Sequence, residues 1–135
     1  MARILIVEDE MLIGMALEAA LKAEGYETRH VTDGQKALAA LEEFHPDVIL
    51  TDYMMPRMDG EALIQAVRSK PDARETPIIL MSAIPEETFV AKETDYDLFL
   101  QKAFRYTVLL EMLERVLDNG DPMPDTEDGG EPKRG

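Results

Sequence analysis

The chain has 135 residues, 31% of them charged, a formal net charge of -14 and no cysteine. That length accommodates one domain with a real core and not two. The lack of cysteine excludes disulfide staples and thiolate metal sites, and so acidic a surface disfavours direct contact with the phosphate backbone of nucleic acids. There is no run of about 18 apolar residues, no basic leader and no lipidation signal, so neither a membrane nor export is expected and the expected location is the cytoplasm.

Taken in chain order, Ile4-Leu5-Ile6-Val7 is a continuous apolar run suited to a strand buried on both faces of a parallel sheet, and Glu8-Asp9 follow at its end. Met11 to Glu24 reads as a helix closed by Gly25 at C′. Helical spacing predicts Ile13, Leu17, Ala20 and Leu21 as its buried stripe and puts Met11, Met15, Glu18 and Lys22 on the opposite side. Glu27 to Val31 mixes apolar and polar side chains, as an edge strand does. Thr32 and Gln35 have the spacing of a capping box for a helix running to about Phe44, where Pro46 stops it.

Asp47 to Thr51 is the third strand, and Asp52 ends it. In "VILTDYMMPRMDG", Pro56 and the Met58-Asp59-Gly60 turn lead the chain away, and Asp59 is the expected N-cap of a helix reaching about Ser69. Pro77 to Met81 is the fourth strand, followed by Ser82-Ala83. A fourth helix is expected from Pro85, with Glu86 and Glu87 in its first turn. Only Phe89, Val90 and Ala91 are apolar in "PEETFVAKETDYD", so this helix is expected to be marginal and mobile. Asp97 to Gln101 reads as the other edge strand, with Lys102 after it.

The last helix is predicted over about Phe104 to Asp118, and its Phe104, Val108, Leu109, Leu110, Met112, Leu113, Val116 and Leu117 cover more than one face. Residues 1–118 are expected to form the domain. Residues 119–135, with three prolines, four glycines and a net charge of -3, read as a disordered acidic tail, leaving -11 on the domain itself.

Five strands alternating with helices, with the second and fifth at the edges, define an α/β fold: a flavodoxin-like, doubly wound (βα)5 sandwich with a parallel sheet in the order 2-1-3-4-5. In such sheets ligands bind beyond the carboxyl ends of the strands, here between the first and third. Glu8, Asp9, Asp52, Ser82 and Lys102 all fall on that edge. Three carboxylates at roughly 5 Å repel by about 3 kcal/mol per pair at an effective dielectric of about 20. A hard divalent cation such as Mg²⁺ offsets that. A metal alone needs neither the lysine nor the serine, whereas a carboxylate that accepts a phosphoryl group uses both. Asp52 is the nucleophile, Lys102 neutralises charge on the equatorial oxygens, and Ser82 donates a hydrogen bond to the product.

With "ILIVEDE", "DVILTDYMMPRMDG", "PIILMSA" and "LFLQKAF" in that order and spacing, the chain resembles the receiver domain of two-component response regulators over residues 3 to about 118. The resemblance implies Asp52 as phosphoacceptor, Glu8 and Asp9 as the acidic pocket, and the Met54 backbone carbonyl as a further ligand of Mg²⁺, for which Mn²⁺ can substitute. It gives Ser82 and Lys102 the hydroxyl and amine roles and Phe99 the aromatic switch position. It further implies a stand-alone signalling module phosphorylated by a histidine kinase or phosphotransfer protein, with self-catalysed phosphoryl transfer and slow autodephosphorylation instead of enzymatic turnover. Output is expected through a downstream protein target or a phosphorelay, without nucleic acid or membrane. The first helix, with Met11 and Met15, is the implied docking surface, and surplus apolar area on the last helix suggests a homodimer through the fourth helix, fifth strand and last helix.

Two departures stand out. The acidic pair is Glu-Asp where the family has Asp-Asp, and Ala103 follows Lys102 where the family usually has proline after a cis bond, so a trans bond is predicted here. The alternative reading is a phosphorylation-independent adaptor that keeps the fold. A phosphatase of the haloacid-dehalogenase type needs a second aspartate where Met54 stands, and a flavodoxin needs a Ser/Thr/Gly-rich loop after the first strand. His30 and His45 have no ligand-spaced partner and carry no expected chemistry.

Overall fold

The computed structural model describes residues 2–55, 58–87 and 95–117. In chain order these form β1 (Arg3–Val7), α1 (Met11–Ala23), β2 (Glu27–Val31), α2 (Gly34–Phe44), β3 (Val48–Asp52), α3 (Gly60–Arg68), β4 (Ile78–Ser82), β5 (Leu98–Gln101) and α4 (Tyr106–Leu117). All five strands are parallel in the order β2-β1-β3-β4-β5, as expected. The body of the helix expected after Pro85, the tail over residues 119–135 and Pro56 lie outside the described residues. Among the described residues no helix is long and apolar enough to cross a membrane.

Alternation within the central strands divides the core in two. Ile4, Ile6, Val48, Leu50, Ile79 and Met81 pack with Leu17 and Leu21 of α1 and Leu109 and Leu113 of α4. Leu5, Val7, Ile49, Ile78 and Leu80 pack with Leu41 and Phe44 of α2 and Leu63, Ile64 and Val67 of α3. Each fully buried aliphatic side chain stabilises the fold by about 1.5–3 kcal/mol, so β1, β3 and β4 form the rigid floor from which the polar strand ends project. α1 closes in a Schellman arrangement, Gly25 N–H donating to Lys22 O at 3.0 Å and Tyr26 N–H to Leu21 O at 3.2 Å.

Three expectations are corrected. The N-cap of α2 is Asp33, not Thr32: its Oδ1 accepts from Lys36 N at 2.8 Å. A carboxylate at the positive end of a helix is a stronger cap than a hydroxyl one residue further out. On α1, Ile13 is 41% exposed and Gly14 takes its place in the buried stripe. The His30 ring from β2 lies over Gly14, where a Cβ would come within 2.0 Å of Nε2, so the face of α1 turned to the sheet is the one that carries the glycine, and Ile13 is left outside it. On α4 the apolar surplus is mostly taken up by the sheet. Phe104, Leu110, Met112, Val116 and Leu117 pack partly buried against the core, and Val108 alone of the predicted set is exposed.

Candidate functional site

Strand register builds the site. Val7 pairs with Thr51, so Glu8 and Asp52 come next on neighbouring strands at the carboxyl edge. On the other side of β3, Asp52 pairs with Met81, which puts Ser82 one residue beyond, and Ser82 pairs with Gln101 of β5. Lys102 N–H then donates to Ser82 O at 2.7 Å, fixing the root of the lysine at the same edge. The chain after Asp52 turns back sharply. Gly60 N–H donates to Tyr53 O at 2.7 Å, and a Cβ on Gly60 would fall 2.8 Å from Tyr53 Cα and 2.9 Å from Asp52 O. Only glycine permits that approach. Asp59, as expected, caps α3 by accepting from Ala62 N at 2.9 Å.

Among the five strand-end residues, the side chains of Glu8, Asp9, Asp52 and Lys102 meet. Lys102 Nζ lies 3.1 Å from Glu8 Oε1 and 3.1 Å from Asp52 Oδ2. Glu8 Oε2 accepts from Glu10 N at 3.0 Å. One carboxylate oxygen from each of Glu8, Asp9 and Asp52 lies within 4.8 Å of the others. Both Glu8 and Asp52 are buried. Burial is the main cause that raises the Glu8 carboxyl above its ordinary value; the Asp52 charge adds to it, and the Glu10 N–H and Lys102 only partly offset the two. Asp52 is likewise raised, first by burial and then by Asp9, against the opposing pull of Lys102 and of the Met54 backbone N–H. Burial works against the Lys102 ammonium, yet its hydrogen bonds to Asp52 and Glu8 outweigh that and raise its pKa. Among the described residues a single ammonium thus faces three carboxylates. Oxygen donors at this spacing, with charge left over, fit one hard divalent cation of the Mg²⁺ type.

The remaining predicted residues sit around this centre. Ser82 is buried, and its Oγ accepts from Ile84 N at 3.0 Å. Phe99, on β5 opposite Leu80, packs against the α2 and α3 side of the core. Met54 is 58% exposed at the mouth. Met11 and Met15 are exposed on α1 as expected, joined by Ile13 and by Leu12, which is 81% exposed. No cis peptide occurs among the described residues, in keeping with the trans Lys102-Ala103 bond, and Ala103 adopts a left-handed φ of 68°.

Two residues to which the sequence assigned no role make contacts of note. His30 Nε2 lies 2.9 Å from the Glu8 backbone oxygen. Its signal was indirect: a glycine at position 14, in phase with Leu17 and Leu21, leaves a gap that some other side chain has to fill. Tyr96, buried with its ring 6.0 Å from that of Phe99, donates from its hydroxyl to Glu86 Oε2 at 2.8 Å. Burial and the Glu86 carboxylate raise its pKa. Tyr96 offered a signal only as an aromatic just ahead of an edge strand.

Compared with known proteins, residues 4–114 match the family model described as the response regulator receiver domain. The chain is 30% identical over 122 residues to the phosphate regulon transcriptional regulatory protein PhoB of Rhizobium meliloti, covering 89% of this chain and 54% of that protein. It spans about half or less of the length of the curated relatives it matches. Among solved structures, the signal receiver domain of a signal transduction histidine kinase from Syntrophus aciditrophicus superposes with a TM-score of 0.82 at 33% identity, covering 93% of this chain and 97% of the other. The receiver domain of the sensor histidine kinase PA1611 from Pseudomonas aeruginosa, which has a magnesium ion coordinated in its active-site cleft, superposes with a TM-score of 0.79 at 28% identity, covering 87% of this chain and 98% of the other.

Proposed function

Because the chain belongs to the response regulator receiver domain family, we propose that Asp52 accepts a phosphoryl group from a histidine kinase or phosphotransfer protein and that the phosphorylated domain signals by protein contact or relay. A carboxylate oxygen of Asp52 forms a bond to phosphorus while the bond to the donor's imidazole nitrogen breaks, and the imidazole leaves after taking up a proton from solvent. Lys102 holds the attacking group in place and then neutralises the incoming phosphoryl oxygens. Ser82 exchanges its bond with Ile84 N–H for one to the phosphoryl group, and Phe99 follows into the space released. Glu8, Asp9, Asp52 and the Met54 carbonyl would hold Mg²⁺, or Mn²⁺ in its place, which when bound would supply positive charge to the transferring phosphoryl group.

The observation that carries this reading is the sharing of one ammonium by Glu8 and Asp52 at 3.1 Å each, with Asp9 alongside. A purely structural cluster has no use for the uncompensated charge. We further assign residues 1–118 to the signalling unit and 119–135 to an acidic tail, place the protein in the cytoplasm, and take Met11, Leu12, Ile13 and Met15 as the docking face for the phosphodonor. α4, with little apolar area to spare, is the weaker candidate for a dimer contact.

The test is incubation with a small acyl phosphate and Mg²⁺, followed by intact mass. Wild type is expected to gain one phosphoryl group and Asp52→Asn none. A wild type that stays unlabelled favours the adaptor reading, and steady turnover of unrelated phosphoesters favours an enzyme.

A further inference from the structure

We propose that His30 is a positioning residue for the acidic pocket: its hydrogen bond to the Glu8 carbonyl sets the orientation of the peptide joining Glu8 to Asp9, and through it the approach of both carboxylates to the cation. The inference rests on reading Glu8, Asp9 and Asp52 as the Mg²⁺ site.

The Glu8 backbone is held at two points by the end of β2. Its N–H donates to Val31 O at 3.1 Å, and its carbonyl accepts from His30 Nε2 at 2.9 Å. A carbonyl oxygen can only accept, so the proton resides on Nε2. The neutral ring in that tautomer and the imidazolium both make the contact, and it does not depend on the charge of the ring. The peptide between residues 8 and 9 is a rigid plane, so rotating it swings Asp9 relative to Glu8. The Glu8 side chain is already committed to Glu10 N and Lys102 Nζ, at 3.0 and 3.1 Å. Neither of those contacts restrains the carbonyl, whereas His30 does.

α1 is shaped around this ring. A Cβ at residue 14 would lie 2.0 Å from His30 Nε2 and 2.2 Å from Cε1, so any side chain at that position expels the imidazole. A bland alternative is that His30 only fills the gap above Gly14. Packing and hydrogen bonding are separable, because alanine at residue 14 fills the same gap once the ring is gone.

Mg²⁺ affinity is measured by titration calorimetry on the full chain, with Tm recorded beside it, for wild type, His30→Ala, His30→Gln and the double variant His30→Ala/Gly14→Ala. His30→Ala is expected to weaken Mg²⁺ binding about three- to tenfold, and His30→Gln, whose amide N–H reaches the position of Nε2, to return it to within about twofold of wild type. The double variant is expected to recover Tm through the filled gap and the better helix former, while Mg²⁺ binding stays weak. Wild-type Mg²⁺ affinity in the double variant, or a glutamine variant as weak as the alanine one, overturns the inference alone. A wild type that binds no Mg²⁺ overturns the site reading and this inference together.

Discussion

Two clusters of charge lie at opposite edges of the sheet, one partly buried around Arg68 and one around the buried Glu8 and Asp52, and they are built to different rules. At the amino edge of β4 and β5, Arg68 of α3 donates from Nη2 to Asp97 Oδ2 at 2.9 Å, from Nη1 to Arg74 O and Thr76 O at 2.9 and 2.7 Å, and from Nε to Asp95 O at 3.2 Å. Asp97 Oδ2 also accepts from Ile78 N at 2.8 Å. All three guanidinium nitrogens meet oxygen. At the carboxyl edge a lysine offers one ammonium to three carboxylates, two of them pushed toward protonation by burial and by their neighbours. A cluster that only holds a fold together matches donors to acceptors. The carboxyl-edge cluster, which we propose binds a cation and reacts, keeps a surplus of negative charge among the described residues.

The sharpest break in this comparison comes from removing the two cations in turn. Lys102→Met is expected to slow labelling by a small acyl phosphate roughly 10²-fold or more, since among the described residues it removes the positive charge paired with Asp52. Intact-mass time courses measure this, and a rate close to wild type would show that the lysine is ornamental. Arg68→Ala is expected to cost about 2–3 kcal/mol of unfolding free energy in urea, because Asp97 and three backbone carbonyls lose the guanidinium in a partly buried place. Its labelling rate should match wild type; a large loss of labelling would mean that the two edges are coupled.

A pH series sharpens the contrast further. Glu8 and Asp52 have folded pKa values above their ordinary 4.5 and 3.8, so the folded chain holds these protons more tightly than the unfolded one. Stability from this source is present at low pH and is lost as pH rises through the raised values. Lys102, raised from 10.5, contributes stability that persists below 10.5 and disappears above it. In metal-free protein Tm should therefore decline as pH rises above the ordinary carboxylate values of 3.8 and 4.5, less so in Asp52→Asn, and Mg²⁺ at neutral pH should restore it. Parallel pH profiles for wild type and Asp52→Asn would remove the surplus charge from the account. The smallest effect concerns Ala103, which holds the loop after Lys102 at a φ of 68°. Ala103→Gly should stabilise by about 0.5 kcal/mol, the relief of left-handed strain less the extra freedom of glycine in the unfolded chain. Urea midpoints resolve a change of that size.

Much of the fold was legible because parallel strands buried on both faces need unbroken apolar runs. The runs at Ile4, Val48 and Ile78 are such strands, and each carries polar residues where it leaves the core. The errors arose where neighbours from distant segments intervene. Thr32 and Asp33 are both chemically able to cap α2, and it is the Asp33 carboxylate that accepts from Lys36 N. Ile13 was placed in the stripe by spacing alone, whereas the buried position is Gly14, which lies under the His30 ring of the next strand. The apolar surplus read on α4 is absorbed by the sheet, while the exposed apolar group is on α1 at Met11, Leu12, Ile13 and Met15.

By itself the sequence determined the strand order and which polar residues stand at the carboxyl edge, since hydrophobic runs and their punctuation are local properties of a chain. Only the tertiary structure decided that Lys102 divides its ammonium between Glu8 and Asp52, that His30 grips the Glu8 carbonyl, and that Arg68 closes the far edge. Those contacts join residues from 6 to 94 positions apart. They depend on register and side-chain reach, and a pattern of neighbouring residues contains neither.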